Sequence, residues 1–108
     1  MNLHKGIENI IIETIIPFNV ERIILFGSFV YGVPDKESDI DILVIKSVKE
    51  EETRETRLQL KKELWNKLFD YNLPFDLVVD DPKRINKRIE MGDLFYKEIL
   101  NKGKTIYA

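Results

Sequence analysis

The 108-residue chain contains no cysteine and a single histidine, His4. That scarcity excludes disulfide scaffolding, thiolate catalysis and cysteine-ligated zinc. It also leaves nothing from which to build a histidine metal site or a Ser-His-Asp triad. His4 lies close to the terminus and reads as a surface residue. No apolar run reaches membrane-spanning length and the first residues lack a signal-peptide layout, so a cytoplasmic protein without membrane association is expected. Charge of one sign is lacking as well. Charged residues make up 33% of the chain, yet the formal net charge is only -2. Bulk electrostatics therefore give no reason to expect direct nucleic-acid binding, although a local basic patch is compatible with them. The sequence shows no internal repeat, low-complexity tract or interdomain linker. With 44% apolar residues, residues 1–108 fit one small domain with one core.

What the chain does have is a regular succession of short patterned segments. Ile7, Ile11 and Ile15 recur at helical spacing and predict a helix over 3–16, ended by Pro17. Residues 22–26 form a short apolar run that stops at Gly27, the mark of a buried strand. A short helix over 28–31, a loop over 32–38 and a second strand over 39–45 follow. A long helix is predicted over 49–70, with Leu60, Leu64, Trp65 and Leu68 on one side and the Glu50-Glu51-Glu52 run at its anion-favouring start. Residues 74–80 read as a third strand. Pro82 opens a basic helix carrying Lys83, Arg84, Lys87 and Arg88, which reads as a solvated face, with Asp80 and Asp81 as its caps. Residues 93–100 read as helix and 105–107 as a short last strand. The order predicts an α+β (mixed α/β) fold, a small mixed β-sheet flanked by helices.

The chemistry concentrates in residues 25–44, LFGSFVYGVPDKESDIDILV. Asp39 and Asp41 are separated by one apolar residue. In a strand both carboxylates project from one face while Ile40 and Ile42 bury on the other. Two like charges on one face repel, and a divalent cation between them removes that cost. Gly27 lets the chain turn sharply and lets a phosphate approach closely. Ser28 adds a hydroxyl and a backbone N–H at a helix start, where oriented donors favour phosphate oxygens. Asp76, flanked by Phe75 and Leu77, lies in another apolar strand. Taken singly, Gly27-Ser28 is an ordinary strand-ending turn and Asp39-x-Asp41 an ordinary exposed strand face. Together with Asp76 they are specific.

Gly27-Ser28, ten residues and then Asp39-x-Asp41 resembles the signature of the nucleotidyltransferase superfamily that includes DNA polymerase β. The small size is similar to the minimal nucleotidyltransferase (MNT) domain. The resemblance spans the core of the chain, from the strand before Gly27 through the Asp76 strand. It implies a polymerase β palm-like fold, with Asp39, Asp41 and Asp76 as catalytic, metal-holding carboxylates and Gly27 and Ser28 binding nucleotide. It implies two Mg²⁺ ions as cofactor and ATP as substrate, the site being suited to in-line displacement of pyrophosphate. Asp76 is the candidate acceptor of the attacking hydroxyl's proton.

Domains of this kind are paired with HEPN-type RNase toxins. The resemblance therefore implies an antitoxin that transfers AMP to a tyrosine of such a partner. A domain this small has no acceptor-binding domain of its own, so the acceptor is expected to be supported by a partner protein or a second copy. One departure stands out. Tyr31 occupies a position where relatives frequently carry arginine, which removes a cation from the phosphate side. Lys36, Arg22 and the basic helix are the candidates to replace it. The same departure favours an alternative reading, a catalytically weak or inactive module that neutralises its partner by binding. A third reading, nucleotide addition to RNA, has only the basic run around Arg84 in its favour.

Overall fold

The computed structural model describes residues 5–31 and 39–108. Helix α1 (Lys5–Ile15) buries Ile7, Ile11 and Ile15, as the isoleucine spacing dictates. It stops one residue earlier than expected, at Ile15. Pro17 falls within a 3-10 turn over Ile16–Phe18, which Asn19 closes in the left-handed conformation. The chain then enters β1 (Arg22–Phe26), turns at Gly27, and forms the single helical turn α2 (Ser28–Tyr31). Strand β2 (Ile40–Ile45) leads into the long helix α3 (Glu50–Leu68), a 3-10 turn over Phe69–Tyr71, and β3 (Phe75–Asp80). Helices α4 (Pro82–Glu90) and α5 (Leu94–Lys102) precede the last strand, β4 (Lys104–Tyr107). His4, Lys36 and the loop over 32–38 lie outside the described residues.

The strands form one sheet in the order β3-β2-β1-β4. β1 runs antiparallel to both β2 and β4. β2 and β3 run parallel, which requires the α3 crossover between them. Alternation along the strands then sorts the core into two halves. Ile40, Ile42, Val44, Leu77 and Val79 pack with Ile11 and Ile15 of α1 and with Leu60, Leu64 and Leu68 of α3. From the opposite face, Ile24, Leu43 and Ile45 pack with Ile85 of α4 and with Tyr96 and Ile99 of α5. This is the α+β arrangement of sheet and helices expected from the element order.

Two expectations are corrected. Trp65 does not join the apolar side of α3; it is 57% exposed. Leu60, Leu64 and Leu68 already fill the narrow stripe that meets the sheet. Trp65, about 100° around the helix from Leu64, instead stacks edge-on against Phe69, with ring centroids 5.8 Å apart. Asp80 does not cap α4 either. Asp81 does so alone, accepting the Lys83 N–H at 2.9 Å, with Pro82 opening the helix. Asp80 sits instead in the sheet–helix seam. It accepts Arg84 Nε at 2.8 Å and the Tyr96 hydroxyl at 2.6 Å, and Arg84 Nη2 donates onward to Thr53 Oγ1 at 3.0 Å.

That network explains how a carboxylate, an arginine and a tyrosine share one apolar seam. Burial, together with the bond to Asp80, raises the Tyr96 hydroxyl's pKa well above its usual value. Replacing Tyr96 with Phe removes a hydrogen bond to a charged acceptor. The Tyr96→Phe variant is therefore expected to lose about 1.5–3 kcal/mol of stability in urea unfolding while keeping the same far-ultraviolet circular dichroism.

Candidate active site

Pairing register places the acidic residues. Across the antiparallel pair Phe26 faces Asp41, and across the parallel pair Asp41 faces Asp76. Asp41 lies between Ile40 and Ile42, both buried on the α1/α3 face, so its own side chain is directed to the other face. Asp39 comes just before β2, where Ile40 N–H donates to the Pro74 carbonyl at 3.0 Å and continues the β2–β3 pairing.

Gly27 is the tightest point of this arrangement. Its φ of +83° suits glycine alone, and a Cβ built there would lie 2.0 Å from Asp41 Oδ2. The carboxylate of Asp41 thus occupies the space that any other residue at 27 would take. Gly27 also launches α2, its carbonyl accepting the N–H groups of Val30 at 3.0 Å and Tyr31 at 2.8 Å. Ser28 is the first residue of that turn.

The electrostatics follow from this crowding. Partial burial raises the Asp41 pKa above the ordinary carboxylate range, and the charges of Asp76 and then Asp39 raise it further. The carboxyls are therefore close enough to repel one another. Among the described residues, however, no three acidic or histidine side chains stand close enough together to hold an ion as they are. Asp76 is engaged by protein groups through one oxygen. Its Oδ1 accepts the Leu77 N–H at 2.9 Å and lies 3.6 Å from Arg57 Nη2. The donor set is nonetheless that of a hard divalent cation: carboxylate oxygens, with no sulfur and no imidazole.

Arg57 was not singled out by sequence reasoning, although a signal for it exists. It lies three residues before Leu60 on the stripe that Leu60, Leu64 and Leu68 bury, an unusual place for a cation. Tyr31 was noted for what it replaces, and its surroundings add to that. Partial burial and then the charges of Glu98 and Asp41 raise its hydroxyl's pKa. Lys36 lies outside the described residues, and among those described the cations expected to compensate for it do not gather here. Arg22 pairs with Ile45, four residues along β2 from Asp41, and donates to Thr105 at 3.1 Å. Arg84 and Arg88 are engaged by Asp80 and Asp93 at 2.8 and 2.9 Å. Lys83 and Lys87 are exposed, in keeping with a solvated helix face.

Residues 9–106 match the model of the nucleotidyltransferase domain family. The chain belongs to that family. Two relatives from Methanocaldococcus jannaschii agree with this membership. The protein named "Putative protein adenylyltransferase MJ0141" is 35% identical over 95 residues, covering 88% of this chain and 87% of the relative. The one named "Putative protein adenylyltransferase MJ0604" is 31% identical over 90 residues, covering 82% and 79%. The nucleotidyltransferase domain described here is thus a nucleotide-handling transferase, and its crowded carboxylates lie within the matched region.

Two outcomes follow for this nucleotidyltransferase. Gly27→Ala puts a methyl group onto Asp41 Oδ2 and an L-residue at positive φ. It should cost about 1–3 kcal/mol in urea unfolding. Asp41→Asn removes one of the repelling charges. The Asp41 pKa is raised in the folded protein, so the stability linked to its proton is present at low pH and lost as pH rises through that pKa. At neutral pH in EDTA, Asp41→Asn is therefore expected to melt about 1–4 °C above the parent. That gain should shrink to nothing near pH 3 in thermal scans.

Proposed function

We propose that this nucleotidyltransferase moves AMP from ATP to a hydroxyl of a protein acceptor, a tyrosine of a HEPN-type RNase toxin, and so acts as its antitoxin. The single observation that carries the transfer chemistry is the register of Asp41 beside Asp76, with the Asp41 carboxylate seated against Gly27. A protein as acceptor is supported by the names of the two relatives, each of which the chain covers over most of its length.

The reaction needs an acceptor hydroxyl held in line with the α-phosphorus. The hydroxyl oxygen bonds to that phosphorus as the bond to the bridging oxygen of the β-phosphate breaks. Pyrophosphate leaves with the electron pair. The hydroxyl proton passes to the carboxylate of Asp76. Gly27 keeps side-chain bulk away from the phosphates, and Ser28 offers its hydroxyl and N–H to them. Asp39, Asp41 and Asp76 would hold two Mg²⁺ ions, which supply cationic charge to the triphosphate and acidify the hydroxyl.

A second reading has one observation in its favour. The Asp76 carboxylate is engaged by Arg57, and Tyr31 brings no cation to the site. A module with these features would neutralise its partner by forming a complex, without transfer.

Incubation with α-labelled ATP, Mg²⁺, the HEPN-type partner and an RNA control separates the readings. The expected result is label on the partner protein. Asp39→Ala/Asp41→Ala should reduce it by at least about 100-fold while keeping the fold, because no core group is lost. A tight complex without label would establish the second reading, and label on RNA would overturn both.

A further inference from the structure

Arg57 makes two contacts with β3, each through a different nitrogen. Its Nε donates to the Leu77 carbonyl at 2.7 Å. Its Nη2 lies 3.6 Å from Asp76 Oδ1. β3 is an edge strand, so its backbone groups are not all taken by a neighbouring strand. The guanidinium is planar, and its nitrogens keep a fixed separation. Anchoring one nitrogen on the backbone of residue 77 therefore fixes where the other meets the side chain of residue 76. The Leu77 N–H, at 2.9 Å, reaches the same Oδ1. The Leu77 hydrogen bond and the Arg57 ion pair thus both fall on one oxygen of Asp76, while among the described residues its Oδ2 has no hydrogen-bond partner.

We infer that Arg57 is a positioning residue of the candidate site. It clamps Asp76 by Oδ1 so that Oδ2 is presented on the strand face shared with Asp41, ready for a divalent cation. The inference rests on the metal-dependent reading proposed above. It explains why a cation sits on the otherwise apolar stripe of α3, since carboxylates that ligate metals are themselves oriented by outer hydrogen-bonding partners. A lysine at 57 would carry the charge on one nitrogen. It could serve the Leu77 carbonyl or the Asp76 carboxylate, but not both in this geometry.

Binding of Mn²⁺ alone, followed by electron paramagnetic resonance or calorimetry, tests the role without any turnover. Arg57→Lys and Arg57→Met should both weaken Mn²⁺ binding by about tenfold or more. In an Asp76→Asn background, Arg57→Met should weaken it no further, because the carboxylate it positions is gone. Circular dichroism establishes that each variant is folded, and Arg57→Lys serves if Arg57→Met is not. Unchanged or tighter Mn²⁺ binding in the Arg57 variants would overturn the role, as would an equal loss in the Asp76→Asn background. If the folded parent took up no Mn²⁺ at all, the metal-dependent reading itself would fall, and Arg57's role with it. Parent binding with unaffected variants would remove only the role of Arg57.

Discussion

The parallel pairing of β2 with β3 is the constraint on which the rest depends. It sets Asp41 opposite Asp76, and the antiparallel pairing with β1 sets Phe26 on the other side of Asp41. Like charges directly across strands oppose folding. Here the cost rises because Asp41 is partly buried and its carboxylate fills the space above Gly27. Such an arrangement is stable only because the sheet around it is fixed by something stronger. Ile40, Ile42, Leu43 and Val44 are almost wholly buried on its two faces, and that apolar packing determines the register the acidic residues must accept.

The two faces divide the labour. On one, α1 and α3 supply a continuous apolar core. On the other, α4 and α5 cover the far end of β2 and β3, where Asp80 is absorbed into hydrogen bonds with Arg84 and Tyr96. The near end of that face, with Asp41 and Asp76, carries carboxylates where its neighbours carry core residues. Asp80 and Asp76 lie on the same strand with the same parity and differ in their surroundings. Asp80 has its charge balanced by protein donors and belongs to the fold. Asp76 keeps one oxygen without a protein donor among the described residues, which suits chemistry.

Much of this was legible in the sequence, for physical reasons that differ by element. The strands, the α2 turn and the cap at Asp81 follow from apolar runs, from Gly27 and from proline placement, all local signals. The register that sets Asp41 beside Asp76 agrees with the strands read from the sequence, and the Gly27-Ser28 and Asp39-x-Asp41 spacing is itself a motif that nominates the candidate site. What was not legible depends on partners distant in sequence. Asp80 read as a cap because one of its two side-chain partners, Tyr96, is 16 residues away on another helix. Trp65 read as core or partner-facing, and its exposure removes the first of these, because hydrophobicity does not say how wide a helix stripe the sheet accepts. Arg57 carried a readable anomaly, a cation on the Leu60–Leu64–Leu68 stripe, but its meaning lies in a contact with β3, 20 residues on.

The crowded carboxylates beside Gly27 are the proposed place for a divalent cation to bind. Paramagnetic broadening by Mn²⁺ of the backbone amide resonances of the folded protein tests it most directly. Selective broadening is expected around Gly27, Ser28, Asp41 and Leu77 at low ion-to-protein ratios, ahead of the Glu50-Glu51-Glu52 run. Broadening centred on that glutamate run instead, or none near Gly27 and Asp41, would contradict it.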